Sequence, residues 1–192
     1  MGKNKSIKNK IYIPFGKPLI DKREIDLIKK TISSNVLVHG PKSVEFEKKF
    51  KNFTKSKYAI SVSNCTTGMN LIYFSLGIGR GDEVIVPAQT HIATAHAVEY
   101  TGAKAVFADC DIKTGNISLD QIKKKINNRT KAICIVHFLG IPVDIKPIKN
   151  FAKKHNLFLI EDCALALGSS YYGKHVGTIG DAGVFSFYPV KH

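Results

Sequence analysis

Several short stretches of this 192-residue chain hold side chains that could do chemistry together. Ser63-Asn64-Cys65-Thr66-Thr67-Gly68 is one of them. Where such a run joins a strand to a helix, free backbone N–H groups, hydroxyls and the helix dipole favour a phosphate. The same residues could simply cap the helix through Thr66 or Asn64, and spacing alone leaves the two readings level. Asp162 follows the apolar run Leu157-Phe158-Leu159-Ile160, where a carboxylate must find a cation or donors because an unpaired buried charge is costly. A protonated ring nitrogen would serve it, and so would an ordinary ion pair or a cap on the next turn. Lys191 stands just past the last β-like run; by count it is one more lysine until context sets it apart. Pro87 to His91, His137 and Ser186 complete the candidates.

The elements that must position these residues follow from periodicity. Ile25, Ile28 and Ile32 form one stripe of an amphipathic helix over Asp21 to Ser34, with Asp21 as cap and Glu24 three residues on. A second helix, Lys42 to Phe53, follows Gly40-Pro41. The pattern then changes to β-rich runs at Tyr58 to Val62, Glu83 to Val86, Lys104 to Ala108, Ala132 to Val136, Leu157 to Ile160 and Gly183 to Phe187. Helix-like stretches lie between them near Thr67 to Leu76, Ile92 to Tyr100, Ser118 to Ile126 and Ile145 to His155, and the Ser118 helix shows a capping box with Gln121. Near-continuous apolar strands such as Val84-Ile85-Val86 and Ile133-Cys134-Ile135-Val136 suit a sheet covered on both faces. The expectation is an α/β fold with a mostly parallel sheet flanked by helices. In such sheets ligands gather at the carboxyl ends of the strands, where every candidate above falls. Residues 1–20 read as a basic lead-in and 21–192 as one domain.

Composition removes several alternatives. With 44% hydrophobic and 23% charged residues the chain is neither disordered nor fibrous, and no run approaches the roughly 18–20 apolar residues of a membrane span. Lys3, Lys5, Lys8 and Lys10 have no apolar core behind them, so the start is not a secretory signal, and Gly2 with Ser6 matches the myristoylation pattern only by chance. Cys65, Cys110, Cys134 and Cys163 show no CxxC pair, which points to free thiols in a reducing cytoplasm and to no metal framework. A formal charge of +14 raises nucleic acid as a partner. Yet Lys29-Lys30, Lys48-Lys49, Lys123 to Lys125 and Lys153-Lys154 fall on polar helix faces, and no nucleic-acid motif accompanies them.

Six phrases in register carry a resemblance: Ser63 to Met69, Gly81-Asp82-Glu83-Val84-Ile85-Val86-Pro87, Thr130-Lys131-Ala132-Ile133, Val136-His137, Glu161-Asp162-Cys163-Ala164 and Phe185-Ser186-Phe187. From about Ile11 to His192 the chain resembles the DegT-type nucleotide-sugar aminotransferases. These are pyridoxal-phosphate enzymes of the aspartate aminotransferase fold (fold type I), and the likeness is to their cofactor-binding large domain. The resemblance implies that Lys191, five residues after Ser186, is the Schiff-base lysine and catalytic acid-base. It implies that Asp162 keeps the cofactor's pyridine nitrogen protonated and that Thr66, Thr67 and Ser186 grip its phosphate. His91 would stack on the ring, while His137 is given no direct role. Leu165 departs from the glutamine or histidine often found three residues after the aspartate.

The implied reaction moves an amino group, from glutamate, onto the keto-sugar of a nucleotide sugar, on the way to surface polysaccharide or a related glycan. A branch of the family with histidine for the lysine dehydrates sugars instead; Lys191 before His192 favours aminotransfer. Family members are about twice as long, form homodimers, and continue with a strand that lies antiparallel between the segment at 183–187 and that at 58–62, followed by a small domain. The expectation is therefore a large domain cut short before that strand, with an inactive fragment or one half of a split gene as the alternative.

Overall fold

The computed structural model describes residue 13 and residues 18–191, so most of the lead-in and His192 lie outside the described residues. Short β-branched runs form the sheet: β1 (Glu83–Pro87), β2 (Lys104–Ala108), β3 (Thr130–Val136), β4 (Phe158–Asp162) and, after the small hairpin β5 (Ser170–Tyr171) and β6 (Lys174–His175), β7 (Ala182–Val184). The five long-sheet strands stand in the order β2-β1-β3-β4-β7, and every pair among them is parallel. Each parallel pair needs a crossover, which helices α4 (Ile92–Glu99), α5 (Leu119–Lys125) and α6 (Ile145–Lys154) supply between β1, β2, β3 and β4. Helices α1 (Lys22–Ile32), α2 (Pro41–Thr54) and α3 (Cys65–Ser75) precede the sheet.

Because side chains alternate along a strand, the sheet has two apolar faces. Val84, Val86, Cys134 and Ile160 pack under Met69 and Tyr73 of α3 and Ala97 and Val98 of α4. Ile85, Ile133, Ile135 and Leu159 pack under Ile122 of α5 and Ile145, Ile148 and Ala152 of α6. Each fully buried aliphatic side chain contributes about 1.5–3 kcal/mol against exposure. Asp162 shares the parity of Ile160 and faces α3 and α4; Glu161 shares that of Leu159 and faces the other way. The strand order reverses at β1, so the carboxyl ends of β1, β3 and β4 lie at a switch point of the kind where ligands gather in such sheets.

Four expectations change. Residues 58–62 form no strand: Ser61 gives its N–H and hydroxyl to Glu47, at 2.8 and 2.7 Å, and Tyr58, Ile60 and Val62 are exposed. A strand needs a ladder partner, and a groove of about 1610 Å³ separates this segment from β7, the last strand of the sheet. For the same reason β7 ends at Val184 instead of Phe187. The capping box of α1 forms, yet the Ile25, Ile28 and Ile32 stripe covers no core and stays exposed. Ser118 caps α5 through its backbone carbonyl, with no side-chain bond, so no capping box forms there. The lysine pairs lie where expected, with Lys29-Lys30, Lys123 to Lys125 and Lys153-Lys154 in last helical turns, where the dipole favours cations. Among the described residues no helix is long and apolar enough to cross a membrane, and the four cysteines are free.

Candidate active site

The turn into α3 settles which residue caps it. Asn64, with extended backbone, accepts from the Thr67 N–H through Oδ1 at 2.8 Å. The N–H groups of Cys65 and Thr66, first in the helix, have no intrahelical acceptor, and the Thr66 and Thr67 hydroxyls have no partner among the described residues. Gly68 lets this turn close on the sheet: a Cβ there would lie 2.9 Å from Val184 Cγ1 and 3.2 Å from Val62 Cγ2. Donors therefore collect beside the end of β7, where Ser186 Oγ accepts from the Tyr188 N–H at 3.3 Å.

Asp162 is buried at the end of β4. Its Oδ1 accepts from the Ala164 N–H at 3.0 Å and its Oδ2 from the Thr94 hydroxyl at 2.8 Å. No Lys, Arg or His among the described residues forms an ion pair with it. Burial pushes this carboxyl above the usual range, against the pull of Ala164, Thr94, His137 and Lys191. An acceptor with spare lone pairs and no bonded cation is thus held at the carboxyl end of β4. Half-buried Lys191 is near enough to act electrostatically on both Asp162 and the Cys65 thiol, which burial pushes up to about 12. The structure so brings Asp162, Lys191 and the start of α3 together.

His91 sits at the carboxyl end of β1 as the N-cap of α4; its Nδ1 accepts from the Ala93 N–H at 3.2 Å and its ring is exposed. His137 is buried behind the site. Its Nδ1 accepts from the Val143 N–H at 3.0 Å, which places the ring proton on Nε2, 3.1 Å from Glu161 Oε2. Glu161, fully buried, also accepts from the N–H groups of Gly177, Ile179 and Gly180 at 2.8, 2.7 and 2.6 Å. His137, Glu161 and Cys163 have ligand atoms within 4.8 Å of one another. Both imidazole nitrogens and both carboxylate oxygens are already engaged, so this trio is a hydrogen-bonded hub rather than a metal-binding set.

Sequence reasoning passed over Thr94 and Glu161. The signal for Thr94 was its spacing of four residues from Thr90, on the first turn leading into a helix. The signal for Glu161 was strand alternation: of two consecutive carboxylates ending a strand, one must face the opposite apolar layer and find donors there.

Comparison with known proteins gives the following. The DegT/DnrJ/EryC1/StrS aminotransferase family matches over residues 18–192. GDP-perosamine synthase of Escherichia coli O157:H7 is 44% identical over 181 residues, covering 94% of this chain and 50% of that protein. The spore coat polysaccharide biosynthesis protein SpsC of Bacillus subtilis is 41% identical, covering 94% of this chain and 46% of that protein. The PLP-form of Spr1654 from Streptococcus pneumoniae superposes with a TM-score of 0.88 at 32% identity, over 93% of this chain and 49% of that one. The chain thus spans about half the length of the relatives it matches.

Proposed function

From the premise that the chain belongs to the DegT/DnrJ/EryC1/StrS aminotransferase family, we propose that it is the cofactor-binding part of a pyridoxal-phosphate-dependent nucleotide-sugar aminotransferase. The amino group goes to the keto-sugar of a nucleotide sugar, with glutamate as donor, in polysaccharide or glycan biosynthesis; the names of the relatives from E. coli and B. subtilis support that substrate class. The observation that carries the reading is the Asp162 carboxylate, buried with two hydrogen bonds and no bonded cation.

The residues fit the cofactor. When bound, pyridoxal phosphate supplies an aldehyde that an amine can engage and a ring that takes up electron density. The open N–H groups of α3 and the hydroxyls of Thr66, Thr67 and Ser186 would bind the phosphate. Asp162 would accept from the ring N–H and keep the proton on that nitrogen. His91, with its ring exposed beside Thr90, would cover one face of the ring. The Lys191 Nζ would hold the aldehyde carbon covalently, yield to the donor amine, and then carry a proton between substrate and cofactor carbons.

The test is direct. The chain is incubated with pyridoxal phosphate, reduced with borohydride and mapped by peptide mass. A label on Lys191, absent in Lys191→Ala, is the expected result; label on other lysines alone, or equal label in both proteins, overturns the reading.

A further inference from the structure

The hydroxyl pair Thr90 and Thr94 has no place in the roles above. Thr94 is fully buried on α4, and its Oγ1 lies 2.8 Å from Asp162 Oδ2 and 2.7 Å from Thr90 Oγ1. An ionised carboxylate only accepts, so the single Thr94 proton must point at Asp162. The Thr94 oxygen can then only accept from Thr90, whose proton is committed in turn. The polarity of this two-hydroxyl chain therefore runs one way, from the turn before α4 to the end of β4. Ala164 holds the other carboxylate oxygen at 3.0 Å. Donors from two different elements thus fix both oxygens and leave each with a lone pair still able to accept.

We propose that Thr94, locked as a donor by Thr90, is a positioning residue for Asp162, which it holds as an oriented acceptor for the ring N–H of the cofactor. This rests on the cofactor reading above. Other groups act on the same carboxylate: Lys191, His137, the thiols of Cys65, Cys134 and Cys163, and the Tyr73 hydroxyl. None of these is hydrogen-bonded to it; among the described residues the carboxylate's hydrogen bonds come from Thr94 and Ala164, and of the two only the Thr94 bond can be removed by changing a side chain without changing shape.

The variants are Thr94→Val, Thr94→Ser and Thr90→Val, each in the full chain. First, with no cofactor, carboxyl-13C-labelled aspartate is titrated by NMR. The Asp162 midpoint moves up by about one pH unit in Thr94→Val, by less in Thr90→Val, and stays in place in Thr94→Ser. An unmoved midpoint in Thr94→Val overturns the proposal. Second, fluorescence titration compares pyridoxal phosphate with its deaza analogue, which has carbon in place of the ring nitrogen. Thr94→Val weakens pyridoxal phosphate about tenfold and leaves the analogue unchanged, because only the former needs the oriented acceptor. Equal losses for both ligands show a merely structural role and overturn the proposal. A wild-type chain that binds the two ligands alike overturns the cofactor reading instead, while the NMR midpoints still judge the hydroxyl chain. If Thr94→Val does not fold, Thr90→Val, which keeps Thr94 in place, carries both comparisons.

Discussion

On one face of β4, Glu161 receives four hydrogen bonds, one from His137 and three from the loop that leads into β7; on the other face, its neighbour Asp162 receives two. Both carboxylates are buried at the end of one strand, and burial pushes each upward. For Glu161 the His137, Gly180 and Gly177 donors outweigh that push and hold the carboxyl below its usual range. For Asp162 they do not, and it stays raised. A saturated carboxylate has nothing left to offer a ligand and serves the fold. An unsaturated one costs stability in the empty protein and is available for binding.

The largest test of this contrast is Glu161→Gln. The amide would turn an N–H group toward donors, leaving buried N–H groups unpaired, and stability should fall by about 3–5 kcal/mol in denaturant unfolding. The pH dependence has a definite sign. A depressed carboxyl contributes stability above its unfolded value, about 4.3, and loses it as pH falls through the lower folded value. Wild type should therefore lose stability more steeply than the variant on acidification, and parallel curves would break the contrast.

Next comes Gly183→Ala, behind the same loop. Its Cβ would lie 2.3 Å from the Gly177 Cα and carbonyl oxygen, so the loop that feeds Glu161 must shift. A cost of about 2–3 kcal/mol is expected, read from the thermal midpoint. A neutral outcome would show that this face is looser than its hydrogen bonds imply.

The smallest effect has the opposite direction. In Asp162→Asn the amide can donate to the Thr94 oxygen while its carbonyl accepts from the Ala164 N–H. A carboxyl raised by folding weighs against the folded state as pH rises from its unfolded value, about 3.9, through the folded one. Removing it should leave the cofactor-free chain as stable at pH 7 or stabilise it by up to about 1 kcal/mol, while retention of pyridoxal phosphate falls. A strong destabilisation would show that Asp162, like Glu161, is there for the fold.

Much of this arrangement was legible in the residues. The runs Val84-Ile85-Val86 and Ile133-Cys134-Ile135-Val136 announce strands covered on both faces because short, continuous, mostly β-branched apolar runs suit a sheet buried under helices on both sides. Asp162 and the Ser63 to Gly68 turn stood out because a lone carboxylate after an apolar strand, and hydroxyls at a helix start, each need a partner. Tyr58 to Val62 misled for a physical reason. Alternation records what a segment can do in a ladder but not whether a ladder partner is present, and here the groove beside β7 keeps the two apart. The Ile25, Ile28 and Ile32 stripe is the helical case of the same fact: an amphipathic face specifies an apolar neighbour without supplying one.

Local chemistry alone thus determined the buried strands β1 and β3, the cap at Asp21, and the residues able to bind an anion or a ring nitrogen. Those features depend on a residue and its close neighbours in the chain. What the tertiary structure decided is which partner each polar group meets. Thr94 reaches Asp162 across 68 positions and His137 reaches Glu161 across 24. Such pairings follow from strand order and helix placement, which no local pattern encodes. That is why two adjacent carboxylates, alike in sequence, became one anchor for the fold and one open acceptor.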